Sequence, residues 1–341
     1  MDSVLNEIVK QLVAPGKGLL AADESSKTIK KRFDKVGIPD TVENHRRYRE
    51  MLFTTPGIEQ YISGVILFDE TLRQAQGKLF EGKFFTQLLS EKGIIPGIKV
   101  DQGLEDFGGH PGEKITKGLD GLADRLKEYK NLGARFTKWR AAFTIAEKLP
   151  SDAAIEQNSE LLARFARISQ DEGFVPIVEP EVLMEGHHTM EASEIATTRV
   201  LKKVFEKLSS KQINFSGMLL KPNWVHSGLD SGVKLASKEI AEATLRVLKE
   251  TVPHEVCGIV FLSGGDSPDD STEHLNELNL VGRVQPDGEL PWPLSFSFGR
   301  ALQGEALEAW RGLDENVKMS QEIFLKRAKM VSLARCGKLN S

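Results

Sequence analysis

The chain has 341 residues, 40% of them hydrophobic and 28% charged, an ordinary soluble globular balance with apolar mass for one large domain or two small ones. A net charge of −4 offers nucleic acid no global basic field, and no apolar run approaches the length of a membrane span. Cys257 and Cys336 form neither a CxxC pair nor a metal-ligand spacing, which fits a reducing compartment. The acidic, polar start Met1-Asp-Ser-Val-Leu-Asn-Glu7 lacks the layout of a signal peptide, so a cytoplasmic setting is expected.

In chain order, residues 3–12 carry Leu5, Ile8, Val9 and Leu12 on one helical face, with Ser3 placed to cap it and Pro15-Gly16 to end it. Gly18-Leu-Leu-Ala-Ala-Asp23 is a short apolar run closing on an acid, and residues 25–35 open a helix rich in Lys27, Lys30, Lys31, Arg32 and Lys35. The same shape recurs at 63–68 before Asp69 and Glu70, at 95–101, 134–140, 175–181, 217–221, 258–265 and 294–300. The centres of these eight segments lie roughly 30 to 45 residues apart, about a strand, a crossover helix and two loops. Helical patterns fill gaps at 119–132, 151–172, 192–208 and 237–251, and two more, at 302–310 and 315–333, close the chain. Strands alternating with helices imply a parallel sheet. Eight units imply an α/β fold, a (β/α)8 TIM barrel with extra N- and C-terminal helices, and residues 1–341 as one catalytic domain. The rival, an open doubly wound sheet, would carry a glycine-rich turn after its first strand, where Asp23-Glu-Ser-Ser-Lys27 has none. Residues 281–291 are the most irregular stretch and read as an excursion before the eighth strand.

In such a barrel, chemistry gathers at the carboxyl ends of the strands. Here those ends carry Asp23, Asp69, Lys99, Lys138 with Arg140, Glu179 with Glu181, Lys221, Ser263 and Arg300. Gly217-Met-Leu-Leu-Lys221-Pro222 reads as a buried strand with Gly217, Leu219 and Lys221 on one face. Taken alone, Lys221 is either a side chain snorkelling to solvent or a nucleophile whose charged form is disfavoured by apolar neighbours. Lysines nearby would lower its pKa by repulsion, and Lys138 and Arg140, two apart, share a strand face. Asp23 and Glu179 are then candidate proton-transfer groups. Taken one at a time, these charges read as structural ion pairs; as a set around one amine they favour a Schiff-base enzyme. After the seventh strand, Ser263-Gly264-Gly265 can point backbone N–H groups into one concavity, as an anion site or simply as a turn. Arg300 can clamp the same group. The run from Lys27 to Lys35 is a second anion site or a solvated helix face.

With these residues assembled, the chain resembles class I fructose-1,6-bisphosphate aldolases, the metal-independent Schiff-base kind. The matching motifs are Leu20-Ala-Ala-Asp-Glu-Ser25, Gly64-Val-Ile-Leu-Phe68, Gly97-Ile-Lys-Val-Asp101, Lys138-Trp-Arg140, Pro176-Ile-Val-Glu-Pro-Glu181, Leu219-Leu-Lys-Pro-Asn223, Phe261-Leu-Ser-Gly-Gly265 and Phe298-Gly-Arg-Ala-Leu302, in family order along most of the chain. The resemblance implies reversible cleavage of fructose 1,6-bisphosphate to dihydroxyacetone phosphate and glyceraldehyde 3-phosphate. It implies Lys221 as the Schiff-base lysine and Glu179 as the acid/base that dehydrates the carbinolamine. Asp23 would manage protons on the C4 hydroxyl, and Lys138 would assist iminium formation, with Glu181 and Lys99 in its charge network. Arg140 would face the substrate. Ser263, Gly264 and Arg300 would hold the C1 phosphate, while Thr28, Lys31 and Arg32 would lie near the C6 phosphate. It further implies a homotetramer acting on a small phosphorylated sugar, without cofactor.

Three departures stand out. Many eukaryotic relatives extend to a tail tyrosine that serves the enamine step; this chain ends Gly337-Lys-Leu-Asn-Ser341 without one, which leaves that proton without an assigned carrier. Lys27 stands where relatives often have a small residue, and the 281–291 loop is longer than usual. The seven histidines fall at no paired ligand spacing, so no metal is expected. The rivals are a non-catalytic scaffold on the same body, against which the complete set of charged residues speaks, and a transaldolase-like Schiff-base barrel, which would need only one phosphate site.

Overall fold

A computed structural model describes residues 2–77, 82–285 and 289–339. Part of the irregular 281–291 loop and the last two residues of the chain therefore lie outside the described residues.

The strands are β1 (Gly18–Ala22), β2 (Ile62–Leu67), β3 (Ile95–Lys99), β4 (Leu104–Asp106), β5 (Lys114–Thr116), β6 (Phe136–Phe143), β7 (Val175–Val182), β8 (Leu219–Leu220), β9 (Ile259–Phe261) and β10 (Leu294–Phe298). Eight of them close into a parallel barrel in the order β1-β10-β9-β8-β7-β6-β3-β2, and β4 and β5 form an antiparallel hairpin outside it. The helices are α1 (Asp2–Leu12), α2 (Ser26–Val36), α3 (Val42–Phe53), α4 (Asp69–Leu72), α5 (Phe85–Glu91), α6 (Leu122–Asn131), α7 (Asp152–Asp171), α8 (Met190–Ser210), α9 (Ser237–Thr251), α10 (Pro268–Arg283), α11 (Arg300–Trp310) and α12 (Val317–Arg335). This is the (β/α)8 barrel expected from the eight apolar runs, with α1 and α12 as the added terminal helices.

Strand alternation turns every second side chain inward, and the interior so lined changes character along the barrel axis. The amino-terminal half is apolar: Leu19, Ala21, Ile66, Phe136, Val175, Ile177, Leu219 and Val260 form one cluster, and Leu5, Val9, Leu12 and Val13 enter it from α1 and just beyond. Helix α1 therefore closes the barrel floor. Two glycines make room there. A Cβ on Gly64 would sit 2.6 Å from Leu12 Cδ2, and one on Gly97 would sit 2.3 Å from the Phe136 ring. Towards the carboxyl ends the same inward faces turn ionic, because residues two apart on a strand share a face.

Three local expectations are corrected. Helix α1 already includes Ser3, so Ser3 does not cap it. Gly217 lies in a 3-10 turn (Phe215–Gly217) rather than in a strand with Leu219, and β8 is two residues long. Lys221 follows β8 directly, its backbone N–H donating to Val178 O at 2.8 Å. The 25–35 helix starts at Ser26, with Ser25 at its cap position making no cap bond. Helices α3, α4, α5 and α10 and the β4–β5 hairpin are additions to the sequence reading.

Candidate active site

Strands β6 and β7 pair over their whole length, from Phe136 with Val175 to Phe143 with Val182. That register carries two inward charged residues on each strand past the apolar floor. Lys221 from the end of β8 and Asp23 from the end of β1 complete the group. Lys138, Glu179 and Lys221 are 4%, 3% and 4% exposed, so these charges are held out of water and must satisfy one another.

They do so as a chain. Lys221 Nζ lies 2.9 Å from Glu179 Oε1, Lys138 Nζ lies 3.2 Å from Glu179 Oε2, and Lys138 Nζ lies 2.6 Å from Asp23 Oδ2. Glu179 Oε2 is buried without a hydrogen-bond partner: the Lys138 ammonium is close enough to act on its charge but is off the bonding line. Burial pushes the Asp23 carboxyl up, but Lys138, Lys221 and Lys99 outweigh it and hold the group well below its usual range. Glu179 is likewise lowered: burial raises it, and Lys138, Lys221 and Arg140 lower it by more. Burial opposes the Lys138 ammonium, yet Asp23, Glu179 and Asp101 raise it far above an ordinary lysine. Where the sequence suggests bare repulsion between Lys138 and Lys221, the Glu179 carboxylate stands between the two side chains.

Around this quartet opens a cavity of about 510 Å³, within the size range of small-ligand pockets. Thirteen of the fourteen residues singled out from the sequence line it: Asp23, Thr28, Lys31, Arg32, Lys99, Lys138, Arg140, Glu179, Glu181, Lys221, Ser263, Gly264 and Arg300. Arg140 is bonded through Nε to Glu181. Lys99 Nζ lies 2.5 Å from Asp101 Oδ1, and the other Asp101 oxygen takes the Arg140 backbone N–H at 3.4 Å.

The loop after β9 runs through Ser263 and Gly264. Gly264 has φ 55°, the left-handed region that glycine occupies without strain. Arg300, the first residue of α11, reaches back to this loop, donating from Nη2 to Gly264 O at 3.0 Å and Asp266 O at 2.9 Å. Gly265 departs from expectation and is not among the lining residues. It fits against a neighbour instead, since a Cβ there would meet Leu229 Cδ1 at 2.1 Å.

On the opposite rim, α2 presents Thr28 and Lys31. Arg32 is anchored to the buried Glu24 carboxylate, which also receives Arg49 and, at 2.5 Å, Gln303 Nε2. Glu24, Asp101 and Ser297 are site members that the sequence reading left unassigned. Asp101 had a legible signal, an acid two residues beyond Lys99. Glu24 had none, since Arg49 and Gln303 reach it from distant parts of the chain, and Ser297 had none as one small residue inside the apolar run of β10.

The histidines are a further correction. His226 and His274, expected to lie outside any ligand grouping, converge on Asp266, their ligating atoms all within 4.8 Å. Their ligand spacing was invisible in the sequence because each comes from a different segment.

A (β/α)8 barrel with two lysines and two carboxylates gathered at its mouth, flanked by more exposed arginines, defines a barrel enzyme built for a small anionic substrate. Comparison with known proteins agrees. The chain matches the class-I fructose-bisphosphate aldolase family over residues 4–341. It is 48% identical over 335 residues to a probable class 1 fructose-bisphosphate aldolase of Xanthomonas campestris, covering 98% of both chains. It is 50% identical to a cytosolic fructose-bisphosphate aldolase of Arabidopsis thaliana, covering 95% of this chain and 80% of that one. A solved fructose-bisphosphate aldolase of Plasmodium falciparum, in complex with TRAP and a small-molecule inhibitor, superposes with a TM-score of 0.95 at 44% identity, covering 100% of this chain and 96% of the other. The chain belongs to the class-I fructose-bisphosphate aldolase family, carbon–carbon lyases characterised by a Schiff-base mechanism.

Proposed function

We propose that residues 1–341 act as one catalytic unit that cleaves fructose 1,6-bisphosphate through a Schiff base on Lys221. The observation that carries this reading is the buried Lys221 Nζ at 2.9 Å from Glu179 Oε1. Glu179 first takes a proton from Lys221; the free amine then attacks the C2 ketone, and a second proton moves from the attacking nitrogen to the former ketone oxygen to give the neutral carbinolamine. The neighbours that hold Glu179 low as a carboxylate make it a strong acid once protonated. It then returns the proton to the carbinolamine hydroxyl, which leaves as water and yields the iminium. Lys138 keeps positive charge beside both carboxylates throughout. Asp23, held ionised by Lys138, accepts the C4 hydroxyl proton as the C3–C4 bond breaks and its electron pair moves into the iminium. Glu181 steadies Arg140 against the substrate, and Lys99 supports the same network. Ser263, the Gly264 backbone and Arg300 take one phosphate; Thr28, Lys31 and Arg32 face the other.

The test is reductive trapping. Incubation with dihydroxyacetone phosphate and borohydride should leave one modified peptide, carrying Lys221, and Lys221→Met should abolish both adduct and cleavage while retaining a native circular dichroism spectrum. A trapped lysine elsewhere overturns the assignment. The same reading extends to a cytosolic homotetramer. The cytosolic name of the Arabidopsis relative supports the compartment, and the resemblance to the family supports the assembly. Light scattering should give four times the 37.8 kDa chain mass; a monomer overturns that part alone.

A further inference from the structure

We infer that His226, Asp266 and His274 form a binding site for one divalent transition-metal ion, separate from the lysine cavity. The three side chains come from three segments: the loop after β8, the loop after β9, and helix α10. Asp266 stands in the middle. Its Oδ1 lies 3.8 Å from His226 Nε2, and its Oδ2 lies 3.8 Å from His274 Nε2. Neither histidine lines the lysine cavity.

The spacing is too long for hydrogen bonds, which run to about 3.2 Å, and the groups are too buried to turn to water. Asp266 and His274 are 6% and 3% exposed, and Asp266 Oδ2 and His274 Nε2 have no hydrogen-bond partner. A buried carboxylate oxygen facing a buried ring nitrogen across an unbridged gap asks for a third party. A metal bonded at about 2.0–2.2 Å to N and O donors separates them by roughly 3.3–3.5 Å in a tetrahedral site. The three ligating atoms lie within 4.8 Å of one another, so seating one ion here needs the widest pair to close by up to roughly 1.3–1.5 Å.

The far ring nitrogens are already arranged for ligation. His226 Nδ1 faces the Ser227 carbonyl. A carbonyl only accepts, so the proton sits on Nδ1 and the neutral ring directs its Nε2 lone pair towards Asp266. His274 Nδ1 is held by Ser237 Oγ at 2.9 Å, at the start of α9. Such outer contacts fix tautomer and ring orientation in metal sites. Two imidazoles and one carboxylate suit zinc, cobalt or ferrous iron rather than magnesium or calcium. Three protein ligands leave the remaining positions to solvent, reached past the half-buried His226. An ion would tie α10 to the loops after β8 and β9. Arg300 grips the latter at Asp266 O and Gly264 O, so occupancy would also stiffen the loop assigned above to a substrate phosphate. That last coupling rests on the proposed function; the site itself does not.

The full chain, stripped with chelator, should be titrated with cobalt(II). One equivalent should give saturable visible d–d absorption, with His226→Gln and His274→Gln each weakening binding by at least about tenfold. X-ray absorption at the zinc edge of the zinc-loaded wild-type protein should show two imidazoles and oxygen, whether or not either variant folds. Absence of a saturable band, binding unchanged in both variants, or a sulfur shell from Cys257 or Cys336 overturns the site. Borohydride trapping at Lys221 in the variants confirms that they are folded. Failure of that trapping in the wild type refutes the lysine assignment and leaves the metal result standing.

Discussion

Lys138 sits where two carboxylates would otherwise be buried without compensation. It lies 2.6 Å from Asp23 and 3.2 Å from Glu179, and both acids are held low by it. A carboxyl lowered in the fold contributes stability that is complete above its unfolded value, about 4, and lost as pH falls through the folded value. Lys138, raised in the fold, contributes fully below about 10 and loses that contribution as pH rises through its own folded value. Asp23→Asn should therefore cost about 3–5 kcal/mol at neutral pH, the usual loss on removing one partner of a buried ion pair. Urea unfolding from pH 7 to pH 3 checks the sign: the gap to wild type should narrow below about pH 4, and a constant gap would count against it. Glu179→Gln should lower kcat by about 10²–10⁴-fold, the range for losing a positioned acid/base, with slowed Schiff-base formation in rapid-quench trapping. Lys31 and Arg32 stood out only through the family resemblance, whereas Asp23, Lys99, Lys138, Glu179 and Lys221 were legible because each closes an apolar run. Their pairing was not, since bridging by Glu179 depends on the register of β6 against β7. The joining of His226, Asp266 and His274 was equally hidden.

Each barrel strand announced itself as a short apolar run, because strands walled on both faces have little polar surface to show. Helices α3 and α10 did not, and the reason is their buried faces. Helix α3 buries His45, Arg46, Tyr48 and Arg49, and α10 buries Ser271, Thr272, His274 and Asn276. The apolar members of these faces, Met51, Leu52 and Phe53 on α3 and Leu275 and Leu278 on α10, are mixed with too many buried polar residues to set a clear hydrophobic period. The β4–β5 hairpin was missed for the opposite reason, since β4 is exposed along its length. Packing at the strands also makes sharp predictions. Gly97→Ala would drive a methyl into the Phe136 ring and should lower stability by about 1–3 kcal/mol, read as a shifted urea midpoint at unchanged slope. Arg300→Ala, at the head of α11, removes both the grip on the β9 loop and a cation at the cavity. KM for the bisphosphate should rise about ten- to a hundredfold, as when a hydrogen bond to a charged group is lost, with kcat less affected. A change confined to kcat would contradict the phosphate assignment.

At the scale of the whole molecule, the segment after α1 and the end of α12 meet beneath the barrel. Arg335, near the end of α12, donates its guanidinium to the carbonyls of Val13, Ala14 and Lys17. Ser332 Oγ donates to Gly16 O at 2.5 Å. Arg335→Met should strand those carbonyls and lower stability by about 2–3 kcal/mol, measured by urea unfolding, while leaving the borohydride adduct at Lys221 intact. The floor that these contacts brace has its own consequence for how the protein is made. Helix α1 is synthesised well before much of its seat, which includes Val175, Ile177, Leu219 and Val260. Ser216, whose hydroxyl meets Asn6 at 3.0 Å, is translated 210 residues later. At about 5–20 residues per second, the first helix waits on the order of ten to forty seconds with Leu5, Val9 and Leu12 uncovered. The nascent chain thus carries its own stopper ahead of the vessel, and through most of translation that stopper has no seat to enter.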